Sequence, residues 1–189
     1  MQTAQYAETG KPQAVTIFGI MHIIFAAFGF LSSIWAAFIA FAGNPFLNFG
    51  PKNPAMEAQA KAQAEMQEQM LPGTLISTAV TLVIAALMLT AGIQLLKKRR
   101  SGLVWNNRYA WTSIVGKAIT IALIFIYTVP AMEEMMSGMG GKTPMPGGFG
   151  SMMAMGMVIW IVITAIYPIL ALFFLNRRPV KEWFAAQPH

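Results

Sequence analysis

The chain has 189 residues, 56% of them hydrophobic and 11% charged, with a formal net charge of +6. Soluble domains carry about 25% charged residues, so this chain cannot cover its own surface in water and lipid is its expected solvent. It has no cysteine, which excludes disulfides, thiolate metal sites, cysteine nucleophiles and lipidation through cysteine.

A segment exposed to lipid must satisfy every backbone group within itself, so apolar runs of about 20 residues are expected to be membrane-crossing helices. The first run, 15–41, is long enough to tilt in the bilayer. Ala40-Phe41-Ala42 imitates a signal cleavage site, but a signal core is only about 7–15 residues, so this run is expected to be retained. Gly29, Ser33 and Ala37 stand four residues apart, a spacing that lets helix backbones approach. Phe25, Phe28, Leu31, Trp35 and Phe38 are expected opposite them, against lipid or a partner. His22 is ionisable and lies inside the run.

Between the first two runs, Asn53-Pro54 opens and Pro72-Gly73 closes a stretch of strong helix formers. This predicts a short extracytoplasmic helix over 53–71, most simply a solvated connector. The second run, 74–96, carries another small-residue row, Ser77, Thr81 and Ala85, and Gln94 lies at a depth suited to bonding His22.

Lys97, Lys98, Arg99, Arg100 and Arg108 then form a basic segment, with Trp105, Tyr109 and Trp111 beside it as expected interfacial anchors. The third run, 112–131, contains Lys117. At ~1.5 Å per residue Lys117 and His22 would both lie roughly 10 Å from the inner boundary, where a lysine snorkels to the headgroups.

Nine of the chain's fifteen methionines fall within 132–157. Thioethers suit soft copper(I), and Met132, Met135, Met136 and Met139 are spaced for one helical face. Against that, no histidine or cysteine accompanies them, and methionine is also the adaptable apolar residue for irregular segments. Apolar packing around a Gly/Pro-rich loop is the preferred reading, and a copper(I) site its competitor.

The fourth run, 152–175, contains Pro168, an expected kink. In the tail, 176–189, Asn176 is a candidate cap and Pro179 fits a first turn. This predicts an interfacial helix with Val180, Trp183 and Phe184 against the membrane.

Lysine and arginine placement sets direction. Ten basic residues fall on the side of the two termini, while Lys52, Lys61 and Lys142 fall on the other. Both termini are expected in the cytoplasm, with anionic lipid headgroups as a secondary contact.

No nucleotide-binding glycine loop, HExxH, GxSxG or intramembrane carboxylate pair is present, and the chain has no Asp at all. Neither catalysis nor a cofactor is expected. The stretches "GIMHIIFAAFGFL", "AGIQLLKKRRSGLVW" and "YPILALFFLNRRPVKEWF" resemble a pattern in uncharacterised bacterial four-span integral membrane proteins. That resemblance implies a bacterial inner membrane and this topology, and carries no site residues across.

The expectation is a single all-α domain over 1–189, an integral membrane four-helix bundle. Its expected role is structural, oligomerising or accessory, in contact with lipid and with itself or another membrane complex. Copper(I) handling is the alternative, and a small-molecule channel or transporter comes third.

Overall fold

The computed structural model describes residues 12–43, 54–138 and 149–187. These are helical, with no strand among the described residues. In chain order they form α1 (Gln13–Ala42), α2 (Pro54–Leu96), α3 (Ser101–Leu123), a π-helical turn (Ile124–Thr128), α4 (Val129–Gly138), α5 (Phe149–Leu175) and α6 (Arg178–Ala185). Four stretches are long and apolar enough to cross a membrane: Gln13–Ala42, Ala60–Leu96, Ser101–Glu134 and Met152–Leu175. Only 17% to 28% of the residues in the most apolar window of each are buried, so most of their apolar side chains point outward. Water would not sustain that much exposed apolar surface. By length and composition the chain is a multi-pass membrane protein.

The fourth span has the expected limits, and the first is extended by a residue or two at each end. The second does not start where expected. α2 runs unbroken through Pro72, so the stop at Pro72-Gly73 is absent and the connector helix continues into the span. A proline removes one backbone donor and crowds the preceding turn. Here strong helix formers flank it, and Gly73 is buried against the Tyr127 ring, where an added Cβ would lie 3.0 Å from Cδ2.

The third span also starts earlier, at Ser101 instead of 112, because the polar residues that lower its hydropathy point into protein. Asn106 and Ser113 are buried, and so is Tyr109, which is therefore no interfacial anchor. Trp111 is 63% exposed and fits that role. The helix widens at 124–128, where the Val129 N–H donates to the Ile124 carbonyl, a five-residue step. Pro130 follows directly; its ring would crowd the carbonyl one turn back, and the wider turn absorbs the misfit.

The chain divides into two compact units. Unit 1 comprises Met1–Leu31, Thr81–Gly116 and Thr164–His189; unit 2 comprises Ser32–Val80 and Lys117–Ile163. Unit 1 has two apolar cores. One joins Val15, Leu95, Leu175, Val180 and Phe184; the other joins Ala26, Met88, Tyr109 and Ala110. Val180 and Phe184 of α6 thus pack on protein, whereas the sequence suggests the membrane surface. Asn176 does not cap α6 either. Arg177 holds the cap position, and the Asn176 amide donates instead to Asn107 Oδ1 (2.8 Å) and to the Leu172 carbonyl (2.9 Å). The buried described residues of unit 2 include Ser33, Ile124, Thr128, Ala131 and Ala154.

Candidate functional site

The polar side chains inside the spans are the natural candidates, since each must find a partner where water is scarce. His22 is fully buried in unit 1. Its Nε2 lies 3.1 Å from Asn106 Oδ1 on α3, and its Nδ1 lies 2.7 Å from the Tyr167 hydroxyl on α5. In the tautomer that matches Asn106 Oδ1, an acceptor, Nε2 donates. Nδ1 then accepts from the Tyr167 O–H. A single neutral imidazole ties α1 to α3 and α5.

Aromatic rings enclose this knot. Tyr109 meets the imidazole edge-on at 4.9 Å, and Phe25 meets Tyr167 in the same way at 4.9 Å. Phe18 lies 5.9 Å from Tyr167. Ser113 hydrogen-bonds the Tyr109 side chain. One loose end remains: Asn106 Nδ2 is buried without a hydrogen-bond partner. Leaving such a donor unmade costs about 1–3 kcal/mol.

Gln94, the expected partner of His22, is not part of the cluster; it accepts a bond from the Ser101 hydroxyl at 3.2 Å. Glycines set the helix approach beside the histidine. A Cβ added to Gly92 would lie 2.9 Å from both the Gly19 carbonyl oxygen and His22 Cβ. Sequence reading misses this contact and favours the rows of small residues instead. Of those, Gly29 and Ala85 do meet, with an added Cβ at Gly29 reaching 3.1 Å from Ala85 Cβ. Thr81 is half-buried in the same unit.

In unit 2, Ser33 is buried while Ala37 and Ser77 are half-buried. The Ser77 hydroxyl donates to the Thr74 carbonyl at 3.0 Å. A cavity of about 130 Å³ lies beside the π-helical turn, lined by Thr74, Ser77, Thr120, Tyr127, Thr128 and Met70. It has room for a few waters or a ligand of a few heavy atoms. Lys117 is half-buried in this unit. α3 begins at Ser101, so Lys117 lies about 24 Å along the helix axis from that end and six residues beyond Trp111.

Met132 is half-buried on α4. Met135 and Met136 belong to the same helix, but their side chains lie outside the described residues, as does Met139 altogether. His/Cys/Asp/Glu groupings able to hold a metal are absent among the described residues.

Asn106 and Tyr167 are the functional candidates that sequence reading misses. Asn106 falls in what reads as a loop, and Tyr167 is masked by its apolar surroundings. A usable signal exists: Tyr167 lies eight positions before the end of the fourth run, close to the seven that separate His22 from the start of the first. No family model, no curated protein and no solved structure matches the chain.

Proposed function

We propose that this is a non-enzymatic protein of the bacterial inner membrane, with both termini cytoplasmic, acting as a structural or accessory subunit by packing on itself or on another membrane protein. One observation carries this: an outward aromatic patch on the part of α1 that belongs to unit 2. Trp35 and Phe38 stack at 5.7 Å with rings 27° apart, and each is 48% exposed; Ile34 and Phe41 beside them are exposed too. Large, rigid rings are the side chains that anchor protein interfaces. Lipid alone requires only apolarity, which smaller aliphatic residues supply as well.

The orientation rests on charge. The described basic residues Lys97 to Arg100, Arg108, Arg177, Arg178 and Lys181 fall in unit 1, together with the described start of α1 and the end of α6. Anionic headgroups are the matching partner on that side. Reporter fusions at the two termini should give the same cytoplasmic signal.

Native mass measurement of the gently solubilised protein tests the packing role. Oligomers or a co-purifying membrane protein are expected, and Trp35→Ala with Phe38→Ala should reduce their share severalfold. Isolated monomers throughout would end the proposal.

Copper(I) handling is the second reading, favoured by one observation: Met132, Met135 and Met136 occupy one short helix at spacings of one turn. Copper(I) titration under reducing conditions discriminates. If replacing Met132, Met135, Met136 and Met139 by Leu leaves the affinity unchanged, that reading fails.

A further inference from the structure

The turn between α2 and α3 presents four consecutive cations, and its backbone is unusual. α2 ends with the Arg99 N–H donating to the Gln94 carbonyl (3.0 Å) and the Lys98 N–H donating to the Leu95 carbonyl (3.1 Å). This paired bond pattern puts the residue after the cap in the left-handed region, a position that usually holds glycine. Here it is Lys98, at φ 57°. A residue with a side chain is disfavoured in that conformation, and an outlier of this kind is a sign of function.

The turn is held firmly. The Gly102 N–H donates to the Arg99 carbonyl (2.9 Å), and an added Cβ at Gly102 would lie 2.9 Å from the Leu95 backbone nitrogen. Beside the turn is an open, shallow concavity of about 620 Å³, and the four cationic side chains on it are all exposed. Its walls are Lys97 to Arg100, Ser101, Phe184 and Gln187; they include four cations and no carboxylate. Phe184, from α6, borders it but is itself buried in the core of unit 1.

We propose that this concavity is a built site for the phosphate of an anionic phospholipid, with Lys98 held in its strained conformation to serve it. The turn joins two stretches long and apolar enough to cross a membrane, so it lies on one side of the bilayer, within reach of headgroups on that side. Lysine and arginine supply charge and donors for phosphate oxygens. Gln187 supplies a further donor. The inference deepens the headgroup contact proposed above. It stands whether or not the chain oligomerises, because bound lipid and subunit number are separate mass readings.

The test uses the full chain in nanodiscs of phosphatidylglycerol or of phosphatidylcholine, followed by native mass spectrometry. The wild type should retain one phosphatidylglycerol at least about tenfold more than phosphatidylcholine, given roughly 1 kcal/mol per basic residue near an anionic surface. Lys98→Gly should raise thermal stability, by removing the strain, and lose most of that preference. Gln187→Glu keeps all four cations and should also lose it. Arg178→Gln, which removes one charge outside the pocket, should leave it intact. Equal retention of the two lipids by the wild type would overturn the proposal. So would a preference that survives both pocket variants, or one that falls equally with Arg178→Gln, since that is what diffuse attraction predicts. Release of the bound lipid by millimolar glycerol phosphate would assign the site to soluble phosphates instead.

Discussion

The large side chains with under 2% exposure, Phe184, Leu95, Leu175, His22, Val15, Asn106 and Pro168, all belong to unit 1. None of these belongs to unit 2, whose buried described residues include Ser33, Ile124, Thr128, Ala131 and Ala154, and which contains the π-helical turn, Pro72, Pro130 and a hydroxyl-lined cavity. Charge divides along the same line. The described part of unit 1 has eight basic residues against Glu182; unit 2 has Lys61 and Lys117 against Glu57, Glu65, Glu68, Glu133 and Glu134. Stretches of the same long apolar helices thus make one region closely packed and polar-locked, with its one mid-helix proline among the described residues, Pro168, buried, and another that has the π-helical turn and two prolines. Hydropathy is shared by both regions, so it cannot be what separates them; specific polar and glycine contacts do.

A glycine series tests this most strongly. At Gly92 a methyl group would meet a backbone oxygen and the base of His22, neither of which can give way easily. Gly92→Ala is expected to destabilise by about 2 kcal/mol, overpacking outweighing the gain in helix propensity. At Gly73 the contacts are longer, 3.0 to 3.2 Å, and all to the Tyr127 side chain with no backbone atom among them, so Gly73→Ala should cost about 1 kcal/mol, less than Gly92→Ala. Nothing lies within 4 Å of a Cβ at Gly156, and Gly156→Ala should stabilise by up to about 1 kcal/mol. Unfolding in mixed micelles provides the measurement. A loss at Gly73 equal to that at Gly92 would erase the contrast between the units.

Pro72→Ala comes next and has the opposite sign. Pro72 is exposed inside α2, where it deprives the Glu68 carbonyl of its usual donor. Alanine restores that bond, and a gain of about 1 kcal/mol is expected in the same assay. A loss would mean that the break in unit 2 is structurally required.

The locked region should respond to the removal of one oxygen. Tyr167→Phe deletes the donor to His22 Nδ1, and hydrogen bonds between membrane helices are worth about 0.6 kcal/mol on average, up to about 1.7. A loss of about 1 kcal/mol is expected. In a cycle with His22→Phe the two changes should couple by a similar amount. Additive effects would show that the imidazole does not tie α5 to α1.

Four spans are legible in the sequence because about 20 apolar residues leave few alternatives for a backbone in lipid. Their limits are less so, for a local reason in each case. The start of α3 is hidden because Asn106, Tyr109 and Ser113 are polar in sequence yet turned inward, and a hydropathy window cannot tell inward from outward. The continuity of α2 through Pro72 is hidden because proline's effect depends on what packs beside it, here Gly73 on Tyr127. Of the polar cluster, His22 is visible as an isolated ionisable residue. Its partners are not, since the choice of Asn106 and Tyr167 over Gln94 depends on the rotation of three helices. Small-residue spacing finds Gly29 and Ala85 but passes over Gly92, which has no such row around it.

The smallest effect is expected at the most visible ion pair. Arg178 Nε lies 2.6 Å from Glu182 Oε1 on α6, the shortest polar contact of that helix. Yet the Arg178 side chain is 88% exposed, solvent screens the pair, and exposed pairs one turn apart contribute only about 0.3–0.5 kcal/mol. The order is unfavourable too, since a cation placed before its anion opposes the helix dipole. Val180 and Phe184, buried on the opposite side against Val15, Leu95 and Leu175, are what hold α6 to unit 1. Glu182→Gln should therefore change stability by less than about 0.5 kcal/mol and leave limited proteolysis of the tail unaltered. A larger loss, or early cleavage after Leu175, would mean that surface charge, not burial, keeps this helix in place.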